Sequence, residues 1–260
     1  FFDRAGRSVS SAGDVNGDGF DDLLIGAYLG DPSGRLDAGE SYVVFGKSSG
    51  LGASFDLSSL DGTNGFTVNG VDPGEFSGYA VSSAGDVNGD GFGDLLIGAY
   101  YADPGGRNNA GQSYVVFGKS SGFDANFELS SLDGNNGFAL EGVGTGDLSG
   151  TSVSAAGDMN GDGYDDLIIG AYRANPDGRG DAGESYIVFG KASGFSSSFE
   201  LSSVDGINGF VLNGVSANDL SGWPVSSAGD VNGDGFDDII IGAALAAPGG
   251  RAEAGASYVV

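Results

Sequence analysis

The sequence repeats itself every 72 residues, and this period restricts the chain to folds built from like units. The stretch GDVNGDGFDDLLIGA begins at Gly13, and three close copies of it begin at Gly85, Gly157 and Gly229. A fixed period of this kind indicates an array in which each unit buries its apolar surface against the next. The structure of one unit therefore decides the architecture of the whole.

Each unit contains four segments with the composition of β-strands. In the second repeat these are residues 79–84, 94–99, 113–117 and 137–141, and the second of them, DLLIGA, is apolar enough to be covered on both faces. The linking stretch FELSSLDGNN could add a short edge segment of its own. Four strands joined by turns are the content of one propeller blade.

The composition supports an all-β interpretation. The chain has 52 glycines and no helical apolar period, which argues against a helical solenoid. We predict an all-β fold, a β-propeller of four tandem four-stranded blades over a single region, residues 1–260. The repeats span about 1–72, 73–144, 145–216 and 217–260. Because the last one stops inside its third strand, we expect an incomplete blade that is part of a longer propeller or repeat protein.

Charge and residue usage exclude several classes of partner and chemistry. The formal net charge of -26 disfavours binding to nucleic acid or to anionic membrane surfaces. With no Cys and no His, the chain has no disulfide, thiol nucleophile or imidazole base, and we expect it not to be an enzyme. No apolar run approaches the roughly 20 residues of a membrane span, so no membrane insertion is expected. Because the sequence opens at Phe1, we interpret it as a processed product or a piece of something longer.

The acidic loop of each repeat has the ligand spacing of a calcium site. Side-chain oxygens stand at relative positions 1, 3, 5 and 9, position 7 can offer a backbone carbonyl, and a glycine at position 6 permits the sharp turn. Position 12 is Ile25 in the first repeat, where an EF-hand needs glutamate, so these loops are not EF-hands. The predicted ligands are Asp14, Asn16, Asp18, Phe20, Asp22; Asp86, Asn88, Asp90, Phe92, Asp94; Asp158, Asn160, Asp162, Tyr164, Asp166; and Asp230, Asn232, Asp234, Phe236, Asp238.

The alternative is that these loops are only hairpin turns, since Asn-Gly and Asp-Gly pairs build such turns. That interpretation does not explain three carboxylates within nine residues in four loops, which would repel one another without a cation. Magnesium fits less well than calcium, because it demands near-ideal octahedral geometry. We therefore predict about four Ca²⁺ ions, one per repeat, and leave position 8 out of the ligand set because it is Gly93 in the second repeat.

The repeat resembles the FG-GAP repeat of integrin α-subunit propellers and of many bacterial surface and secreted proteins. The likeness rests on the calcium loops, on Phe45-Gly46 and its counterparts, and on Ile25-Gly26-Ala27 and its counterparts. Two features depart from the family: the GAP triplet reads Gly-Ala-Tyr or Gly-Ala-Ala, and the period is longer than is usual in integrins. The resemblance implies a ring of seven blades, an extracellular location, and ligand recognition on the face opposite the calcium loops.

Strand topology agrees with that placement of the recognition face, because alternate loops of a meander share one face. We expect residues 28–37, their equivalents and segments such as 71–76 to form it. The slot before the first strand reads Arg7, Tyr79, Thr151 and Trp223 along the repeats. Aromatic side chains there could contact a sugar or a peptide, although such variation is also typical of a tolerant surface. The candidate ligand contacts are Tyr79, Trp223, Tyr28, Tyr100 and Tyr172.

The sequence leaves three functions open. The first is a calcium-stabilised extracellular binding or adhesion module for an unknown protein or carbohydrate, with further repeats or domains of the same parent chain as neighbours. The second is a calcium-dependent polysaccharide lyase, and the third is a structural spacer. The tripeptide Arg179-Gly180-Asp181 resembles an adhesive motif, but the repeats place Arg35, Arg107 and Arg251 in the same slot, so we interpret it as a structural loop contact.

Overall fold

The computed structural model describes residues 3–192 and 194–260 and arranges them as 17 β-strands in four sheets. The strands are β1 Ser8–Gly13, β2 Asp22–Ala27, β3 Glu40–Val44, β4 Gly65–Asn69, β5 Ala80–Gly85, β6 Asp94–Ala99, β7 Gln112–Val116, β8 Asn126–Glu128, β9 Gly137–Glu141, β10 Ser152–Gly157, β11 Asp166–Ala171, β12 Glu184–Val188, β13 Ser198–Glu200, β14 Gly209–Asn213, β15 Ser221–Gly229, β16 Asp238–Ala243 and β17 Ala256–Val259.

Each repeat folds as an antiparallel meander. In the first, β1 pairs with β2, β2 with β3 and β3 with β4, and the second and third repeats follow the same order. The β1–β2 ladder shifts its register between Ser11 and Gly13, which marks a bulge directly before the acidic loop. Gly13 has a φ of 72°, a backbone conformation that favours glycine and explains that residue at the bulge.

The predicted fold class is confirmed. The sheets contain three to five strands and form propeller-like blades in an open array, the fourth sheet having the three strands expected from the sequence. Seven three-residue 3-10 turns, of which Pro32–Gly34 is the first, are the helical elements of the described residues. No helix in that part of the chain has the length and apolar character needed to cross a membrane.

The linking stretches of the second and third repeats reach across to the preceding blade. We call residues 123–132 and 195–204 the straps of the second and third repeats. Their short strands, β8 and β13, pair in parallel with β4 and β9, the outer strands of the blades before them. The sequence predicted an edge segment here but did not indicate that it would complete a neighbouring sheet. The first and second blades therefore each consist of four strands from their own repeat and one from the next.

The hydrophobic core lies between blades. One cluster joins the first and second blades, with Leu24 and Phe66 on one side and Ile97 and Tyr114 on the other. Equivalent clusters join the second to the third blade and the third to the fourth. Because blades cover both faces of the inner strands β6 and β11, these two strands are buried along their whole length.

A glycine in the second strand of each blade allows the blades to approach closely. A Cβ atom added to Gly98 would lie 2.0 Å from the carbonyl oxygen of Gly150, at the start of the third blade. An added Cβ at Gly26 would lie 2.0 Å from the carbonyl oxygen of Gly78, and one at Gly170 would lie 2.0 Å from that of Gly222. The glycine of the first three Ile-Gly-Ala triplets is thus required by backbone contact between blades.

We expect the Gly98→Ala variant to lose about 1–3 kcal/mol of unfolding free energy, because the added methyl group must push two backbones apart. Urea unfolding followed by circular dichroism would measure the loss. Gly180→Ala is the matched control, since the nearest atom to a Cβ at Gly180 is 3.8 Å away, on the Asn175 side chain. Equal stability of the two variants would contradict this account of the blade contact.

Candidate metal loops and aromatic surface

The first acidic loop is folded around its own carboxylates. The backbone N–H groups of Gly17, Asp18 and Gly19 donate to Asp14 at 2.8, 3.0 and 2.8 Å. The N–H of Asp18 also donates to Asn16 Oδ1 at 2.8 Å, and that of Phe20 donates to Asp18 Oδ1 at 2.9 Å. These bonds fix the side chains at positions 1, 3 and 5 on one tight turn.

The other three loops reproduce this arrangement. Asp86 accepts from the N–H of Asp90 at 3.0 Å and from that of Gly91 at 2.9 Å. Asp158 and Asp230 each accept three backbone N–H groups from residues three, four and five positions later. Four loops with one conformation match the fourfold repeat of the predicted ligand sets.

The aspartate at position 9 holds the loop to the rest of its blade. Asp22 is completely buried. Its two oxygens accept the N–H of Val15, in the loop, at 3.0 Å and the N–H of Gly46, after β3, at 2.8 Å. Asp94 and Asp166 bind the equivalent pairs of N–H groups at 2.9–3.0 Å.

This contact gives a physical reason for the Phe-Gly pair, which sequence reasoning used only as a marker. Gly46 donates its N–H to Asp22, and a Cβ atom there would lie 2.4 Å from the carbonyl oxygen of Asp21. A Cβ atom added to Gly118 or Gly190 would lie 2.4 or 2.5 Å from the equivalent carbonyl oxygen. The glycine therefore lets the third strand approach the acidic loop closely.

Burial dominates the titration of the position 9 carboxylates of the first three loops, and it raises their pKa values. It raises the pKa of Asp94 to about 8, against the hydrogen bonds from Gly118 and Val87, and the negative charges of Asp90 and Asp86 raise it further. For the same reasons the pKa of Asp166 is raised to about 7 and that of Asp22 to about 6. A nearby cation would remove the repulsion and favour the ionised form.

The donor chemistry of the loops fits a hard cation. Each loop presents carboxylate and amide oxygens, the ligands that calcium prefers, and its buried aspartate carries unfavourable negative neighbours. Within residues 3–192 and 194–260, no group of three or more acidic side chains is gathered around a single metal position. The ligand sets named from the sequence therefore stay predictions.

The acidic loops of successive blades touch one another. The phenyl ring of Phe92 packs against Gly17 of the preceding loop, where a Cβ would lie 2.3 Å from the ring. At position 8, the Asp165 carboxylate accepts the backbone N–H of Asp86 at 2.7 Å. Asp237 contacts Asp158 in the same way at 3.0 Å. Position 8, which we left out of the ligand set, thus has a role between blades that the sequence did not reveal.

The opposite end of the same hairpins carries the predicted aromatic contacts. The pairing of Ser8 with Gly26 lies at one end of the β1–β2 ladder, and that of Gly13 with Asp22, beside the acidic loop, lies at the other. Four of the predicted aromatic residues follow the second strand or directly precede the first. Trp223, which we expected before the first strand, lies inside β15, opposite Ala243 at the end of its ladder with β16. All five residues therefore lie at the first of these ends. The structure thus separates the two candidate sites by the length of a strand.

Three of the five predicted aromatic contacts form one cluster. The rings of Tyr28 and Tyr79 are 5.3 Å apart, and those of Tyr79 and Tyr100 are 4.3 Å apart. Phe76 and Tyr101, which the sequence did not single out as contacts, join the cluster: the ring of Phe76 lies 5.8–5.9 Å from those of Tyr28 and Tyr100, and the ring of Tyr101 lies 4.5 Å from that of Tyr100. The other two predicted residues, Tyr172 and Trp223, form a pair at 5.3 Å. We call these seven residues the aromatic surface.

Arginines lie on this surface without acidic partners. Arg7 stacks 4.6 Å above the ring of Tyr79, and Arg4 and Arg173 lie 5.8 and 5.6 Å from the rings of Tyr28 and Tyr172. Arg4 and Arg7 also donate to tyrosine hydroxyl oxygens at 2.8 and 3.0 Å. In the part of the chain that the structure describes, none of the three forms an ion pair with a carboxylate.

The arginines of the loop slot have a different role. Arg35 pairs with Glu128 of the following strap at 2.6 Å, and Arg107 pairs with Glu200 at 2.8 Å. Arg179, in the Arg-Gly-Asp tripeptide, pairs with Asp177 at 3.2 Å. Two of these three arginines therefore join neighbouring blades, which favours a structural role for the slot.

The buried aspartates predict an unusual pH dependence. Because the pKa of Asp94 is raised on folding, its contribution favours the folded state at low pH and is lost as the pH rises toward 8. In metal-free buffer we expect the unfolding free energy to fall between pH 5 and pH 8, by up to about 1.4 kcal/mol per pH unit for each proton released.

In the Asp94→Asn variant the unfolding free energy should fall less steeply with pH, because the side chain at position 94 no longer ionises. Urea unfolding at a series of pH values measures it, and Asp124→Asn, which removes an exposed carboxylate, is the control. An Asp94→Asn slope equal to that of the parent protein would show that this buried carboxylate is not the group that titrates.

Comparison with known proteins agrees with this geometry. The family model for the FG-GAP repeat matches residues 5–44, 77–116, 149–188 and 222–260. Phosphatidylinositol-glycan-specific phospholipase D of Bos taurus is 34% identical over 178 residues, which cover 67% of this chain and 19% of that protein. Integrin alpha-IIb of Homo sapiens is 36% identical over 176 residues, covering 65% of this chain and 15% of that protein.

The match to integrin alpha-V of Gallus gallus is longer, at 27% identity over 246 residues, or 92% of this chain and 20% of the relative. The chain thus spans a fifth or less of the length of each of these relatives. The four matched segments take in more than half of the sequence, and each contains one acidic loop and the first three strands of one blade. The chain belongs to the FG-GAP repeat family.

Proposed function

We propose that this chain is a calcium-stabilised extracellular binding module. One observation carries the proposal: a single hairpin in each repeat has an acidic loop at one end and aromatic-surface positions at the other. The loops stabilise the blades when they hold a cation, and the aromatic surface binds a protein or a glycan. The integrin relatives support the extracellular location and the binding role.

The cation part of the proposal rests on the buried acids. In each loop the residues at positions 1, 3, 5 and 9 would supply side-chain oxygens, and the residue at position 7 would supply its backbone carbonyl. A bound calcium ion supplies the positive charge that a wholly buried carboxylate such as Asp22 lacks. Since the unfolded chain cannot hold the ligands together, binding favours the folded state.

We expect calcium to raise Tm, with about four ions bound per chain. At a calcium concentration 100 times Kd, each site contributes about 2.7 kcal/mol. The Asp90→Ala variant should bind one ion fewer, because it removes the position 5 carboxylate of the second loop. Differential scanning calorimetry with elemental analysis of dialysed protein measures both quantities.

Asp124→Asn serves as the matched control, because this exposed aspartate lies outside the acidic loops. It should bind as many ions as the parent protein. If calcium changes neither Tm nor the metal content of the parent protein, the loops are turns only, and the proposal loses its first half.

The recognition part rests on the aromatic surface. Trp223 and Tyr101 are 40% and 38% exposed, and aromatic side chains provide large contact areas at little cost in conformational entropy. In a chain with a net charge of -26, three arginines without acidic partners are gathered here. Because guanidinium groups bind carboxylates and sulfates through paired hydrogen bonds, this surface favours acidic ligands.

We expect the protein to bind acidic polysaccharides on a glycan array in calcium buffer, and Tyr79→Ala or Arg7→Gln to weaken that binding at least about tenfold, which is about 1.4 kcal/mol. Ile207→Ala is the control, because this residue is 86% exposed but lies outside the aromatic surface. Binding that is equally strong in all three variants would place the recognition site elsewhere.

The same assay separates the two alternative functions. A polysaccharide lyase would convert the bound glycan into unsaturated products, which absorb ultraviolet light. A structural spacer would bind neither glycans nor the proteins of a matching extracellular extract. Binding without product formation supports the module that we propose.

A further inference from the structure

The outer edge of the third blade repeats, residue by residue, a surface that accepts a strap in the first two blades. In the first blade, β8 lies parallel to β4, with Val68 opposite Phe127 and Asn69 opposite Glu128. The N–H of Thr67 donates to the carbonyl of Ala125 at 2.9 Å. In the second blade, the N–H of Ala139 donates to Ser197 at 2.9 Å.

Three side-chain contacts accompany each of these added strands. An arginine of the accepting blade pairs with the strap glutamate, as Arg35 does with Glu128 at 2.6 Å. A strap phenylalanine stacks on the outer strand, with the rings of Phe66 and Phe123 4.2 Å apart and nearly parallel. A strap leucine, Leu129, is buried between the two blades. The second blade makes all three contacts with the strap of the third repeat, through Glu200, Phe195 and Leu201.

The third blade presents an outer strand, a phenylalanine and an arginine equivalent to those that hold a strap in the first two blades. In the described residues β14 is the outermost strand of its sheet. Phe210, the equivalent of Phe66 and Phe138, is only half-buried, whereas those two rings are almost wholly buried. Arg179, the equivalent of Arg35 and Arg107, pairs only with the exposed Asp177 of its own turn.

A small apolar hollow adds independent support. It measures about 150 Å³, lies between β14 and the fourth blade, and is lined by Leu212, Val215, Ile241 and Tyr258. Two periods earlier these positions are Val68, Val71, Ile97 and Tyr114, which belong with Leu129 to the first interblade core. The hollow thus corresponds to the place that Leu129 and Leu201 fill in the preceding interfaces.

From these contacts we infer that the outer edge of the third blade is a strand-addition site for the strap of a following FG-GAP repeat. The added strand lies parallel to β14 in the register of β8 on β4. Its glutamate or aspartate pairs with Arg179, its phenylalanine stacks on Phe210, and its leucine enters the hollow beside Tyr258. Backbone hydrogen bonds supply affinity, and these three side-chain positions supply specificity.

The repeat allows a direct test, because Val260 is equivalent to Val116 two periods earlier. The sequence of residues 117–133, appended directly after Val260, carries the strap of the second repeat at its natural spacing. Hydrogen exchange read by NMR and the Tm of the extended chain are compared with those of a chain that carries the same 17 residues in scrambled order. We expect exchange of the Val211 amide, the equivalent of Thr67 and Ala139, to slow at least about tenfold, and Tm to rise.

Side-chain specificity is tested on the extended chain. A glutamine in place of the glutamate that copies Glu128 should reduce the gain in Tm, and so should Arg179→Gln in the body of the protein. The two changes together should cost less than the sum of their separate effects, because they remove the same ion pair. An alanine in the place of the copied Leu129 tests the hollow in the same way.

A peptide with the sequence of residues 117–133, added to the unextended protein, provides a second measurement that does not depend on the junction at Val260. It should protect the Val211 amide in a saturable manner. If neither the extension nor the peptide slows exchange at Val211 relative to its scrambled version, the inference is wrong.

Discussion

The structure depends on one buried carboxylate per blade. Asp22, Asp94 and Asp166 each join the acidic loop to the segment after the third strand through two backbone N–H groups, in a place where water does not reach. A buried charge is costly unless it is paired, so this contact ties the packing of the blade to the ionisation of one group. The calcium ion that we propose for the loop would resolve that conflict. The same residue would then hold the blade together and link its stability to the ionic medium.

The acidic loop and the Phe-Gly pair belong to one contact, although about 24 residues separate them in the sequence. This accounts for their joint presence in the first three repeats. The loop needs glycine at its bulge and at its turn, and the third strand needs glycine to let its backbone meet the loop. The motif is therefore a description of backbone spacing as much as of metal ligands.

Much of the fold could be predicted from the sequence, because the period fixed the unit and apolar runs such as DLLIGA fixed the inner strands. The predicted strands at 94–99 and 137–141 agree with β6 and β9, and the other two of that repeat differ by one residue. The strands with which the straps pair could not be predicted. A strand of three residues carries too little pattern to reveal its partner, and parallel pairing with a different repeat leaves no local mark. For the same reason the sequence named Tyr28, Tyr79 and Tyr100 as contacts but placed Phe76 only within the recognition segment 71–76, because its place among these rings depends on contacts between blades.

Because of the straps, the sequence repeat and the structural blade do not have the same boundaries. In the second and third repeats, one period contains four strands of one sheet and a short strand of the sheet before it. Blades linked in this way are expected to melt as coupled neighbours, in the manner of a one-dimensional chain of interacting segments. Such an array lengthens by insertion of whole periods, and the arginine–glutamate pairs at the first two junctions constrain where a recombination boundary can fall.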